Sequence, residues 1–172
     1  MATKKNYWLM KSEPDECSID DALAARNATV PWTGVRNYQA RNFMWREMRL
    51  GDGVLFYHSS CAEPGIAGIA EVARTPYPDP TQFDRKSKYF DAGARQDEPR
   101  WWMVDVKALH KTRLIGIAEL RAAEPLADMI ILRRGNRLSI TPVAAAEWRH
   151  ITTQLAKPGT RTAGKSSAGK AA

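Results

Sequence analysis

The spacing of apolar positions changes several times along this chain, and each change marks an element. Residues 7–11 form an aromatic and aliphatic run that ends at a polar Lys-Ser-Glu-Pro turn, which predicts a first strand. Ser18 then offers an N-cap, with Asp20 and Asp21 behind it in the first turn, so a short helix is expected through residue 26. Over residues 37–49 the apolar side chains Ala40, Phe43, Met44 and Met48 fall on one helical face. A Gly-Asp-Gly turn leads into residues 54–58, a buried strand, and residues 65–74, GIAGIAEVAR, predict another. The small residues of that second run would let backbones approach closely, as in a tight barrel.

Residues 75–100 are rich in proline and charge and form a long loop, a length that usually signals function or mobility. Trp102, Val104 and Val106 next alternate with Trp101, Met103 and Asp105, predicting a strand whose less covered face carries Trp101 and Met103. A short helix is expected over residues 115–121, and Gly135-Asn136 is a turn into a short strand. Pro142 is expected to open the last helix, with Ala144, Trp148, Ile151 and Leu155 as its apolar stripe. No internal repeat is found. Strands fill the middle and short helices both ends, so the fold class is α+β: a small β-barrel or strongly bent sheet with helices packed outside.

Composition narrows the class further. The 172 residues, 44% apolar and 26% charged, suit one soluble domain over residues 1–156. No apolar run reaches the ~20 residues needed to span a bilayer, and the N-terminus has no secretory pattern, so no membrane partner is expected. Cys17 and Cys61 lie in unrelated contexts and read as free thiols. The net charge is +7, but Lys157, Arg161, Lys165 and Lys170 in the tail account for four of those charges, leaving +3 for residues 1–156. Residues 157–172, rich in Gly, Ser, Ala and Lys, read as a disordered basic tail, either an arm for polyanions or a solubiliser.

Two strand ends hold the candidate chemistry. The strand over residues 7–11 ends at Lys11, Ser12 and Glu13, and that over residues 54–58 ends at His58, Ser59 and Ser60. If the two strands are neighbours, both polar ends open onto one rim beside Trp32, forming a concave site with an aromatic wall. Trp32 sits in a turn between a proline and a glycine, where its face can stack on a nucleobase or fold back over the core. Asn37 can read a base edge or cap its own helix. Of the arginines that follow, Arg36 is the one near enough to the turn for a ligand contact. Arg133, Arg134 and Arg137, around Gly135-Asn136, suit phosphate or simply a solvated turn.

Known catalytic signatures are missing: there is no nucleophile elbow, HExxH, phosphate-cradling loop or dinucleotide fingerprint. The three histidines stand at no ligand spacing, so neither a metal nor a cofactor is expected. His58 reads either as a strand-end residue with a satisfied hydrogen bond or as a base, and no catalytic residue is assigned.

YWLMKSEP, WTGVRNYQARNFM, GDGVLFYHS, PGIAGIAEV, YPDPTQFD, PRWWMVDV and LRRGNRLSI, in this order, closely resemble the EVE domain family over about residues 6–155. The resemblance implies a PUA-like fold, a compact, mainly antiparallel β-barrel flanked by short α-helices, akin to PUA, YTH and ASCH domains. It further implies nucleic-acid binding through a modified base. YTH domains hold N6-methyladenosine in an aromatic cage, and EVE domains are linked to modified cytosine in DNA. By position, Trp32 resembles the cage wall, and Lys11, Ser12, Asn37, His58 and Ser59 the polar rim. GVRNYQARN is intact, which implies a formed pocket and adds Gly34 and Tyr38 to Arg36 around it. Nuclear members carry a long N-terminal extension that this sequence lacks, implying a bacterial-type cytoplasmic setting, with nucleoid association open.

The expected function is therefore a non-catalytic reader of a modified base, of the 5-methylcytosine class in DNA or another modified base in nucleic acid, DNA first and RNA second. Two alternatives stand beside it. One is a small ASCH-like hydrolase of a modified nucleoside or amide, using Lys11 and Glu13. The other is a small-molecule sensor.

Overall fold

The computed structural model describes residues 4–156. The basic tail expected over residues 157–172 lies outside the described residues. Strand β1 (Tyr7–Ser12) leads to helix α1 (Ile19–Ala24), then to strand β2 (Thr29–Pro31) and helix α2 (Tyr38–Asn42), which runs on as a π-helical turn, Phe43–Glu47. Strands β3 (Gly53–His58), β4 (Gly65–Val72), β5 (Tyr77–Pro78), β6 (Trp102–Met103) and β7 (Asp105–Gly116) follow. Helix α3 (Ile117–Ala122), strand β8 (Ile140–Val143) and helix α4 (Ala145–His150) complete the fold, α4 continuing as a π-helical turn, Ile151–Leu155.

Six strands pair in the order β2-β7-β4-β3-β1-β8, and β5 with β6 forms a separate ribbon. Pairing is antiparallel throughout except between β1 and β3, which run parallel with Lys11 opposite Tyr57 and Ser12 opposite His58. The α+β class and the mainly antiparallel sheet hold, but the expected barrel does not close. β2 and β8 are the two edges of the sheet, each short and each carrying a proline, Pro31 and Pro142. Proline lacks the donor that an inner strand needs, which confines it to edges and discourages further pairing. Pro142 accordingly lies in β8 rather than opening the last helix, and α4 begins at Ala145.

Both faces of the sheet are covered. Trp8, Met10, Val54 and Phe56 pack into one cluster with Ile19, Trp32 and Met44, while Leu9, Leu55 and Tyr57 enter a second with Ile115, Leu120 and Ile151. Burial on both sides is why β1 and β3 read as continuous apolar runs rather than alternating ones. Gly68 of β4 leaves the space that Ile19 of α1 fills, so its missing side chain seats a helix on the sheet.

Two expectations fail around β6 and β7. Trp101 and Met103 are buried, as are Val104 and Val106, because β6 pairs with β5 and β7 starts afresh at Asp105, interrupting the alternation. β7 extends through KALHKTRL, which gave no strand signal. Its pairing with β4 shifts register twice, and such bulges destroy the period of two that sequence reading relies on.

The long loop is tied down by Gln82. Its buried amide donates to the carbonyls of Asp79 (2.7 Å) and Trp101 (2.8 Å) and accepts from the N–H groups of Arg100 (3.0 Å) and Trp101 (2.9 Å). A second buried anchor, Asp52, accepts from the Trp8 indole (3.0 Å) and from the backbone of Asn6 (3.2 Å) and Arg49 (2.9 Å). Asp52→Ala is expected to lower stability by about 3 kcal/mol, since three donors lose a charged acceptor. Urea denaturation measures this, and an unchanged midpoint would show that the anchor contributes nothing.

Candidate functional site

Because β1 and β3 run parallel, their C-terminal ends meet at one edge of the sheet. The Ser59 N–H donates to the Ser12 carbonyl at 3.0 Å and joins the two ends. The segment after β2, the approach to β8 and a turn of the long loop converge there. Together they enclose a cavity of about 440 Å³, within the ~300–1,000 Å³ usual for small ligands. Trp32 lines its inner side. The residue is 7% exposed, its ring packs edge-on against Phe56 at 5.4 Å and 84°, and its backbone N–H donates to the Val104 carbonyl at 2.9 Å. It therefore belongs to the core and to the cavity wall at once.

Gly34 adopts φ +84°, and a Cβ there would stand 2.6 Å from the Tyr89 ring. Only glycine both turns the chain here and leaves room for that ring. The Gly34 N–H donates to the buried Asp79 carboxylate at 2.8 Å, and the Arg36 guanidinium does so at 3.1 Å. Arg36 also donates to Thr81 Oγ1 (2.9 Å) and to the Tyr89 carbonyl (2.8 Å). It lines the cavity, but its donors are spent fastening the long loop over the site. Tyr89 then reaches across to Glu16, its hydroxyl donating to the carboxylate at 2.8 Å, and Lys88 pairs with the same Glu16. Burial, and then the charge of Glu13, raises the Tyr89 pKa and keeps that hydroxyl a donor.

Several polar groups on the wall have no protein partner among the described residues. The Lys11 ammonium is the most telling. It is half-buried, and desolvation lowers its pKa, yet no carboxylate pairs with it. The Arg137 guanidinium and the hydroxyls of Thr33, Ser59, Ser60 and Ser139 are likewise unengaged. Ser12 is not, since its hydroxyl donates to the Cys17 carbonyl at 2.7 Å.

The sequence-predicted residues thus divide. Lys11, Ser12, Trp32, Gly34, Arg36, Ser59 and Arg137 meet around the cavity. Asn37 does not line it; its Oδ1 accepts from the Ala40 N–H at 3.0 Å and caps α2. Tyr38 points outward, 55% exposed, and stacks on Trp101 at 5.0 Å. His58 lies behind the wall, where Nε2 accepts from the Ile19 N–H at 3.0 Å and caps the start of α1. Arg133 and Arg134 face a second concavity. Sequence reading missed Tyr89, Asp79, Glu16 and Cys17. Asp79 had a readable signal, an Asp before Pro80 at the head of a 3₁₀ turn. Tyr89 had none, because it arrives from mid-loop. Both cysteines are free, and among the described residues no cluster of three or more His, Cys, Asp or Glu is placed to hold a metal.

Two outcomes follow from this geometry. Gly34→Ala is expected to cost about 1–3 kcal/mol and to displace Tyr89, read by thermal denaturation and by loss of the Tyr89–Glu16 contact in a structure. His58 must be unprotonated at Nε2 to cap α1, and burial lowers its pKa below the ordinary 6.5. Its contribution to stability is therefore complete above pH 6.5 and is lost as pH falls from there through the folded-state pKa. His58→Gln keeps an acceptor but does not titrate, so it should flatten the pH 7.5–5.5 stability profile; an unaltered slope would refute the assignment.

A family model for the EVE domain matches residues 6–154. Thymocyte nuclear protein 1 of Gallus gallus is 42% identical over 163 residues, 84% of this chain, which spans 66% of the relative's length. A hypothetical protein from Leishmania major superposes with a TM-score of 0.81 at 46% identity, covering 87% of this chain and 93% of that one. The human THYN1 protein, solved in complex with 5-methylcytosine-containing DNA, gives 0.81 at 41% identity over 86% of this chain and 95% of its own. The ordered motifs, the shared fold and the intact Trp32–Asn42 segment converge on one assignment: this chain belongs to the EVE domain family.

Proposed function

We propose that this chain binds DNA carrying a modified cytosine and holds the extruded base in the cavity beside Trp32. The observation that carries the reading is a half-buried, unpaired Lys11 ammonium in the same 440 Å³ cavity as the Trp32 ring. A planar, carbonyl-bearing ligand satisfies both: its face packs against the indole and its oxygen accepts from Lys11. Ser59, Ser60 and Ser139 offer short hydroxyls for the rest of a base edge, and Arg137 at the rim is free for a phosphate. The solved complex of the human THYN1 protein with 5-methylcytosine-containing DNA supports the same ligand class here. Extrusion is required because the wall is recessed, and a stacked base inside a duplex cannot reach it.

A second reading, hydrolysis of an acylated nucleoside, is favoured by one observation: Lys11 shares the cavity with Glu13. Both readings are separated by titrating matched 5-methylcytosine and cytosine oligonucleotides while product masses are monitored. The methylated strand is expected to bind about tenfold more tightly, the worth of one methyl group in a close-fitting site, with no turnover. Trp32→Ala should lower affinity at least about tenfold, and Trp32→Phe, which keeps the core filled, should retain part of it. Equal affinity for the two strands would remove the base-reading proposal. A product lost in Lys11→Ala would establish the hydrolase instead.

A further inference from the structure

A second concavity, of about 430 Å³, lies on the other side of the segment that walls the first. The same two stretches of chain build both. Residues 32–36 with Arg137 and Ser139 face the first, while Gln39 and Phe43 with Arg133, Arg134, Asn136 and Leu138 face the second. Past Gly135, at φ +78°, the side chains alternate: Asn136 and Leu138 line the second concavity, Arg137 and Ser139 the first. A strand whose base enters the first cavity can leave it past this segment.

Its chemistry is unfinished in a specific way. Arg133 and Arg134 are exposed, and neither is ion-paired among the described residues. Asn136 is oriented by its oxygen, which accepts from the Leu138 N–H at 3.2 Å. Its Nδ2 is the buried side-chain polar atom without a partner among the described residues. A buried donor left unpaired is costly, and a ligand acceptor would relieve it. Phe43, Leu138 and Pro142 supply an apolar floor beside it. Two cations, one directed donor and an apolar floor match a nucleotide: phosphate, base acceptor and ring face.

We propose that this concavity holds the nucleotide adjacent to the modified base, its phosphate on Arg133 and Arg134 and an acceptor of its base on Asn136 Nδ2–H. The inference rests on the placement of the modified base in the first cavity. It makes the protein a reader of context as well as of modification, because the four bases present different acceptors to a single donor.

The test uses oligonucleotides with one 5-methylcytosine or one cytosine, in which each neighbouring position carries in turn a normal nucleotide, an abasic residue or an uncharged methylphosphonate. The full chain is compared with Arg133→Gln/Arg134→Gln and with Asn136→Asp. The latter keeps the oxygen that Leu138 needs and replaces the donor with a charged oxygen, so that its effect is read from the ratio between normal and abasic strands rather than from overall affinity. An abasic residue on one side is expected to weaken wild-type binding about fivefold or more, and Asn136→Asp should abolish that difference. The double arginine variant should abolish the methylphosphonate effect and reduce the salt dependence. Both variants should keep the wild-type ratio of methylated to unmethylated binding. Indifference of the wild type to both neighbours, or variants that retain its neighbour dependence, would overturn the proposal. Equal wild-type affinity for methylated and unmethylated strands would instead defeat the base reading, and neighbour dependence persisting in that case would still support a nucleotide in the second concavity.

Discussion

The carboxylate of Asp79 is buried to 1% exposure and accepts from the Gly34 N–H, the Arg36 guanidinium, and both the N–H and the hydroxyl of Thr81. A buried charge persists only when it is paired and hydrogen-bonded, so these partners are held as firmly as the charge itself. One oxygen serves the segment that follows Trp32 and the other serves the long loop. Asp79 therefore fixes the distance between the two walls of the cavity. Arg36 extends the same constraint to Tyr89, whose carbonyl it grips and whose ring covers Gly34. What looks from the chain like a mobile loop of prolines and charges is a wall secured at Asp79, Gln82 and Tyr89.

The floor has a different origin. In a sheet that is otherwise antiparallel, the single parallel pair of β1 and β3 brings two strand ends to the same edge. Antiparallel pairing would have sent Ser12 and Ser59 to opposite sides. The crossover through α1 and α2 makes the parallel pair possible, and His58 caps α1 against the end of β3. Fold and site share these parts, which is why Asn37 and His58 are occupied with helix ends while Lys11 and the hydroxyls beyond them remain free for a ligand.

Much of this was legible beforehand. Ser18 caps α1 as expected, with Asp21 completing a capping box, and of the two roles open to Asn37 the structure takes the cap of α2. The run from Tyr7 and the GDGVLFYHS run became β1 and β3 with their polar ends side by side. Less legible was β7, whose bulges hide its period, and Pro142, whose position three residues before a helix suited a helix start as well as an edge strand. Arg36 was identified as a site residue, but not that its donors point into the protein. That depends on Asp79, Thr81 and Tyr89, more than forty positions away in each case.

By itself the sequence determined what nearest neighbours determine: caps, turns, apolar runs, and the residue types available at strand ends. It also carried the ordered motifs that identify the family. Only the tertiary structure decided which edges remain open, that Trp32 is anchored by Phe56, and that Tyr89 joins the wall. It also decided that the arginines around Gly135 divide between two concavities. These are long-range matters, settled by pairing register and by where a buried carboxylate finds its donors, and no local pattern of side chains encodes either one alone.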